Sequence, residues 1–565
     1  MKHGVNGFYG VTNVQRKLHK HCKVLVVVFS FTTLAVINSH EVYAEDDAAP
    51  TFAVTDFLIE GDNPLSTSRS NRILQPFLNR NIDIAELRLA ANELEKEMAR
   101  KGYNFYRTTL PPQVLDSGTV KLGVKKVDIG NVSVLGNQFF SNSNIKRSLP
   151  LISEGASPNT QNIATALLLA EENPAKDIRV VFVKGKQPQT VDANITVKDK
   201  NPNEFFVWAN NAGSQNTSRS RLGLQYHNRN LFGIDHQLSL SYSLSPEEPS
   251  ELRQYGINYR VPFYGTRGSG NFFYSKSNAD TGRVADVFDV SGAGETIGAS
   301  YTQFLNKVGR YQHRLAANIT DKLFDSDILF NTQNIGNDVR ARPLSIEYTS
   351  RYDQSNWAFN SVLTATTNMS GGKFNDDASY AASRAGASQD WDKLNVTLNY
   401  DHRWNREWRG RVVFFAQTSS DPLISGEKFG LGGSLGSVGP RGFLEREVTV
   451  DKGYKFSLEA NRSFKNGKFQ LGAFFDYGTG KLNNVQVGER EEETLSSVGL
   501  SFGWNLRRDV ALSLDYGYVL DGVEIDSGAS ASASASASVD GDDRVHLSIR
   551  YYPKWPFSGA SSGGL

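Results

Sequence analysis

The sequence predicts a mainly β chain: two small α+β modules in tandem, followed by one large transmembrane β-barrel. Three observations carry this. Beyond about residue 205, apolar and polar residues alternate with a turn roughly every ten residues, the weak signature of membrane-spanning strands. A secretory leader precedes everything else and ends in Val42-Tyr43-Ala44. Between the two, one order of elements, β-α-α-β-β, occurs twice. Together these direct the chain to a bacterial outer membrane.

Composition agrees. The 565 residues exceed one small domain unless a large barrel absorbs most of them. Mean hydropathy is −0.41, and no stretch after the leader approaches the ~18 apolar residues of a membrane helix. A barrel hides its apolar half by alternation, so low hydropathy does not oppose insertion. The 33 Phe, 22 Tyr and 50 Gly are what barrels use for interfacial girdles and turns.

The leader, residues 1–44, carries Lys2, Arg16, Lys17, Lys20 and Lys23 before the apolar run Val24–Ile37. Cleavage after Ala44 removes five basic residues and one acidic residue, which leaves a net charge of −3. That balance gives no reason to expect nucleic acid as a partner. The sole cysteine, Cys22, lies in the leader, so the mature chain forms no disulfide or thiolate metal site. The nine histidines show no His-Glu-x-x-His or similar spacing, and neither metal nor cofactor is expected.

Residues 45–51 form a short acidic tether. The first module spans 52–126. It opens with a strand at Phe52–Glu60 and a helix at Ser66–Leu78. Asp83 and Glu86 are a capping pair for a helix over 84–101. Leu87, Ala91, Leu94 and Met98 share one face of that helix, and Gly102 ends it. Strands at Asn104–Leu110 and Thr119–Lys125 follow. The second module, 127–200, repeats the order: strand Ile129–Leu135, helices Asn142–Leu149 and Thr160–Glu172, strands Arg179–Lys184 and Val191–Lys198.

The run Gly102-Tyr103, Leu110-Pro111-Pro112-Gln113, Gly118-Thr119-Val120-Lys121-Leu122 and Gly136-Asn137 resembles the end of one POTRA module and the start of the next. It is similar to those of the two-partner secretion transporters, the TpsB family of haemolysin and filamentous-adhesin exporters. Phe206–Leu224 resembles that family's first barrel strand and turn, and Asn230-Leu231-Phe232-Gly233 its first periplasmic turn. The resemblance implies sixteen barrel strands over 201–557, with a flexible tail at 558–565. The 365 residues after position 200 then give about 23 residues per strand plus connection, which suits strands of ~10 residues with long outer loops and short inner turns.

The resemblance also supplies the candidate site. Pro440-Arg441-Gly442-Phe443 is similar to the family's Val-Arg-Gly-Tyr/Phe loop tip, with Pro440 in place of the usual Val or Leu. Phe474, Asp476 and Gly478 are similar to its barrel-wall Phe-x-Asp-x-Gly. In the family the loop folds into the barrel and its arginine reaches the wall aspartate. A guanidinium inside a barrel is partly desolvated and needs a hydrogen-bonded carboxylate. Arg441 is therefore paired with Asp476; Gly442 allows a tight tip, and Gly478 leaves room on the wall.

Other features weigh less. Gly432-Gly433-Ser434-Leu435-Gly436 matches the esterase nucleophile elbow but lacks its strand-turn-helix setting, so no enzyme is expected. The Ala-Ser repeat Gly528–Val539 is expected to be a flexible loop before the last strand. That strand alternates through Val545, Leu547, Ile549 and Tyr551 and ends near Tyr552, unless Phe557 closes it. The tether leaves no room for the plug helix that several family members carry. The expected function is secretion of a large unfolded, TpsA-like exoprotein through the barrel after capture by the POTRA modules. The client classes are an adhesin, a haemolysin, a haem-acquisition protein or a contact-dependent toxin. The other expected partners are outer-membrane lipids and the barrel-assembly machinery. The alternative within the superfamily is an outer-membrane protein assembly factor. Exposed POTRA edges at Arg179–Lys184 and Asn104–Leu110 are the candidate client contacts.

Overall fold

The computed structural model describes residues 50–553 apart from 214–218, 250–251, 279–281, 285–287, 291–293, 326–328, 331–332, 335–336, 434–438, 487–488 and 525–536. The leader with Cys22, most of the tether, Ser434, most of the Ala-Ser repeat, Phe557 and the tail 558–565 lie outside the described residues.

In the first module, strand Thr119–Lys126 runs between Asp56–Gly61, parallel to it, and Tyr106–Thr109, antiparallel. Helix Ile84–Arg100 covers one face of this sheet. Its Asp83 side chain accepts from the Glu86 N–H, satisfying a donor that the first turn leaves without a helical partner. Leu87, Ala91, Leu94 and Met98 are buried against Val120, Leu122 and Val124.

Two expectations need correction here. The strand foreseen at Phe52–Glu60 breaks at Thr55, whose N–H bonds to the Gly118 carbonyl. Phe52–Val54 instead pairs with an unforeseen strand, Arg80–Ile82. The helix foreseen to Leu78 stops at Leu74 and continues as a 3-10 turn, Gln75–Phe77. Pro76 lacks the N–H an α-helix needs there. The Pro-Pro-Gln run also acquires a role. The Gln113 side chain bonds both backbone groups of Lys121, at 2.6 and 2.9 Å, where the edge strand has already ended.

The second module is built the same way, with Thr190–Asp199 between Asp128–Leu135 and Lys176–Lys184. Only Val127 separates the two modules. The joint is fixed by the Thr160 N–H on the Gly102 carbonyl and by Phe105 packed edge-on against Phe182, ring centroids 5.1 Å apart.

Sixteen antiparallel strands then close into a barrel, counting Val339–Ala341 and Pro343–Asp353 as one strand interrupted at Arg342. The last strand, Asp543–Tyr551, pairs with the first, Asn203–Asn210, from Ser548↔Asn210 to Tyr551↔Val207. Alternation sets the two faces. Along Arg221–Leu231, Leu222 and Leu224 are exposed on the outside, whereas Arg221, Gln225 and His227 are buried inside. Short turns of two to six residues alternate with longer loops of eight to 33. Tyr352 with Trp357 and Phe469 with Trp504 form part of an aromatic girdle at the short-turn end. An unforeseen helix, Asp377–Ser383, sits in the long loop before the tenth strand.

The second module docks on the short-turn end. Asn144 donates to Asn230 and to the Gly233 carbonyl in the first such turn, at 3.0 and 2.8 Å. Beside them Lys176 Nζ lies 2.5 Å from Asp235 Oδ2, both side chains fully buried. The Tyr264 hydroxyl donates to the same oxygen at 2.8 Å. Burial pulls the Lys176 ammonium below the usual lysine range while Asp235 opposes the shift. Burial, reinforced by Asp235, holds the Tyr264 hydroxyl well above the ordinary tyrosine value. The module is thus tied to the barrel by a desolvated ion pair, which is costly to break from one side only. Lys176→Met should loosen the docking by about 3–5 kcal/mol by stranding Asp235. Tryptic cleavage after Lys198 and Lys200 in isolated membranes should rise while the barrel stays resistant; unchanged cleavage would contradict this role.

Candidate functional site

The longest loop, Ser419–Asp451, joins the eleventh strand, Trp408–Thr418, to the twelfth, Lys452–Phe464. It returns into the barrel as a hairpin, Phe429–Leu431 paired with Val448–Val450, and places its tip against the inner wall. The wall there is the thirteenth strand, Phe469–Lys481. Its period of two turns Phe474, Asp476 and Gly478 inward together.

At the tip, the Arg441 guanidinium grips Asp476 with both arms, Nε to Oδ2 at 2.7 Å and an Nη to Oδ1 at 2.9 Å. The Arg441 backbone N–H adds a bond to Oδ2 at 3.0 Å. Ser457 on the twelfth strand donates to Asp476 Oδ1 at 2.6 Å and accepts from Arg441 at 2.9 Å. Glu459, two residues on, stands 3.1 Å from the same guanidinium. The guanidinium also lies over the Phe474 ring, 3.6 Å from its centroid. Asp476 has no exposed surface and Arg441 only 7%. A bidentate, charge-assisted pair at such burial holds only because its oxygens and donors are engaged on every side.

The glycines are dictated by contact. A Cβ on Gly439 would stand 2.6 Å from Asp476 Cγ. Gly442 has φ +97°, a conformation L side chains rarely adopt. Gly478 faces Pro440 and Leu431, where a Cβ would approach Leu431 to 2.9 Å. The Gly439–Pro440 peptide is cis. Phe443 is buried with Phe429, Leu431, Val450, Leu495 and Val519, so the tip is pinned by an apolar cluster as well as by charge.

Pro440, Arg441, Gly442, Phe443, Phe474, Asp476 and Gly478 thus meet at one place. Ser457, Glu459, Gly517 and Arg544 were not foreseen. Ser457 faces Asp476 across the twelfth and thirteenth strands. Gly517 leaves room for Gly442, and Arg544 donates to the Gly442 carbonyl at 3.3 Å. Only strand register places them, and register is not written in either motif.

Two further anchors of the loop were also missed. Asp451 at its root is buried against Arg384, at 2.6 Å, from the loop that carries helix Asp377–Ser383. Glu427 on its descending limb is bonded to Lys322 and Lys393, at 2.8 and 2.6 Å. Ser538, at the described end of the Ala-Ser repeat, is held: its N–H and hydroxyl both bond the Glu447 carboxylate. Residues 528–536 of the loop expected to be flexible lie outside the described residues. Among the described residues, no group of His, Cys, Asp and Glu could hold a metal ion.

Known proteins are similar in sequence profile and in fold. The sequence profile of the family described as haemolysin secretion/activation protein ShlB/FhaC/HecB matches residues 190–506, and that of the ShlB-type POTRA domain matches 52–126. The chain is similar to the heme/hemopexin transporter protein HuxB of Haemophilus influenzae, 20% identical over 477 residues that cover 80% of this chain and 81% of the relative. Among solved structures it is similar to CdiB from Escherichia coli, with TM-score 0.69 and 18% identity over 91% of this chain and 92% of that one. CdiB from Acinetobacter baumannii gives TM-score 0.67 and 18% identity over 90% and 91%. These structures share the fold. With the family profile covering more than half of its length, the chain belongs to the haemolysin secretion/activation family ShlB/FhaC/HecB, the outer-membrane transporters of two-partner secretion.

Proposed function

We propose that this transporter captures one large unfolded exoprotein on its two periplasmic modules, 52–126 and 127–200, and passes it in extended form through the barrel at 201–557. It acts as a conduit and not as an enzyme, and folding of the client outside supplies the driving force. It works among outer-membrane lipids after insertion by the barrel-assembly machinery. The observation that carries the reading is the Arg441–Asp476 lock. A buried bidentate pair between a loop tip and the lumen wall supports a loop held in one poised position, ready for export.

Four sheet edges are available for the client, and their chemistry differs. On Tyr106–Thr109 the outward Thr108 N–H is taken by Glu95 at 2.9 Å and the Tyr106 carbonyl by Arg107 at 2.9 Å. On Asp56–Gly61 the Phe57 N–H is bonded by the Asp56 side chain. Asp128–Leu135 has an irregular register after Ile129, whose N–H and C=O are bonded by Ala156 and Gly155. Lys176–Lys184 has nine residues in unbroken register, and its first residue is the one anchored to the barrel rim. This favours strand addition there, with apolar client residues lying beside Ile178, Val180 and Phe182.

The test compares secreted and outer-membrane proteins of a deletion strain with those of strains restored by variants. One large exoprotein should vanish from the supernatant while other barrels stay level; a joint fall of many barrels would mean an assembly factor. Arg441→Ala should leave the barrel inserted but cut export about tenfold or more, since losing one partner of a buried pair costs about 3–5 kcal/mol. Arg441→Lys should recover little of it, because an ammonium lacks the bidentate fork. Val180→Pro removes an outward N–H without breaking the ladder inside the sheet, and should lower export at normal abundance. Thr108→Pro, on the self-capped edge, should not.

A further inference from the structure

The Arg441–Asp476 lock fixes only the tip of the loop. The descending limb carries a second, separate anchor. Ser425–Glu427 forms a single helical turn, and the Glu427 carboxylate is 1% exposed. Lys322 reaches it from the seventh strand, Tyr311–Phe324, at 2.8 Å; Lys393 reaches it from the tenth, Asp392–Arg403, at 2.6 Å. Lys393 also donates to the Glu427 carbonyl at 3.2 Å, and Gln417 of the eleventh strand does the same. Gly426 is pressed so close to the wall that a Cβ would stand 2.2 Å from the Phe324 ring.

The second anchor draws on the seventh, tenth and eleventh strands and the first on the twelfth and thirteenth, so together they tie the loop to an arc of the lumen wall from the seventh strand to the thirteenth. The limbs move together, because Arg446 on the ascending limb donates to the Ser425 and Lys428 carbonyls of the descending one, at 3.1 and 3.3 Å, beside the short hairpin. The chemistry of the second anchor differs from the first. One carboxylate faces two ammonium groups, and among the described residues each lysine has Glu427 as its ion-pair carboxylate. Without that charge, Lys322 and Lys393 would repel each other, and Lys393 would also face Arg446 of the ascending limb. The lysines keep 24% and 13% exposure, so water can take over their solvation once the limb leaves.

We infer that Glu427 is a positioning residue that braces the loop inside the lumen against the seventh and tenth strands and keeps the pore shut at rest, in addition to the lock at the tip. A passing client displaces the limb, breaks the two ammonium–carboxylate contacts, and lets them re-form behind it. The inference rests on the transport reading only for what displaces the limb; closure itself is measured with no client.

The experiment is planar-bilayer conductance of the purified full chain, with vancomycin sensitivity of the expressing cells as the second readout. Glu427→Gln keeps the shape and removes the charge. Its time-averaged conductance should rise about tenfold or more, since the loss of a buried charge partner exceeds the ~1.4 kcal/mol behind a factor of ten. Glu427→Asp keeps the charge and should stay near wild type. A purely packing role predicts the reverse order, with the shorter Asp leaking and the isosteric Gln closed, and that order would overturn the inference. So would wild-type conductance and vancomycin resistance for Glu427→Gln at normal abundance. If Glu427→Gln fails to insert, Lys322→Gln and Lys393→Gln decide instead. Both should leak if the brace is electrostatic, and closure in both would overturn it. A strain in which no exoprotein depends on the chain would sink the transport reading and leave the conductance result standing.

Discussion

Inside a bilayer every backbone N–H and C=O must be bonded within the protein, and the rest of this structure follows from that constraint. It forces the last strand back onto the first, through Ser548–Tyr551 on Val207–Asn210. Closure fixes one face toward lipid and one toward the lumen, so each strand must place Leu, Ile and Tyr outside and Ser, Asn, Gln and charged residues inside. A lumen lined this way has many polar groups and little apolar surface. A long loop entering it can be held by charge, and it must be, because its own buried charges need partners.

The loop Ser419–Asp451 meets that demand at three places with three different chemistries. At the tip a fork-on-fork pair, Arg441 with Asp476, gives direction as well as strength. On the limb a single carboxylate is shared by two lysines from strands three apart. At the root Asp451 joins Arg384 and accepts from the Leu423 and Asn483 N–H groups, which ties the loop to its neighbours at the outer end. Phe443 and its apolar cluster complete the seating. The periplasmic end repeats the logic. Lys176, Asp235 and Tyr264 make a fully buried polar joint, so the second module reaches the rim in one orientation.

Much of this was legible in the chain. The period-two alternation gave the barrel, because lipid on one side and water on the other leave no other pattern. The repeated β-α-α-β-β order gave the modules, and Asp83 gave a helix start whose cap the structure reproduces, while the Glu86 carboxylate pairs with Arg80. The misses have physical causes. Thr55 diverts a strand because its N–H finds a partner in the Gly118 carbonyl, 63 residues away. The helix Asp377–Ser383 is seven residues inside a long polar loop, too short for a periodic signal.

For the site, the resemblance of two local motifs to the family's marked Arg441, Asp476 and their neighbouring glycines; without it they read as an ordinary loop arginine and an ordinary strand aspartate. The residue types themselves answer local demands, a glycine where φ is positive and a carboxylate for a buried guanidinium. The local sequence could not name Ser457, Glu459, Gly517, Glu427, Lys322 or Lys393, which are ordinary residues of ordinary strands and loops. Their roles come from the register of sixteen strands around a closed ring. That ring brings residues 105 positions apart, Lys322 and Glu427, within 2.8 Å of each other. Only the closed tertiary structure decides such a meeting, because register is a property of the whole barrel and of no segment within it.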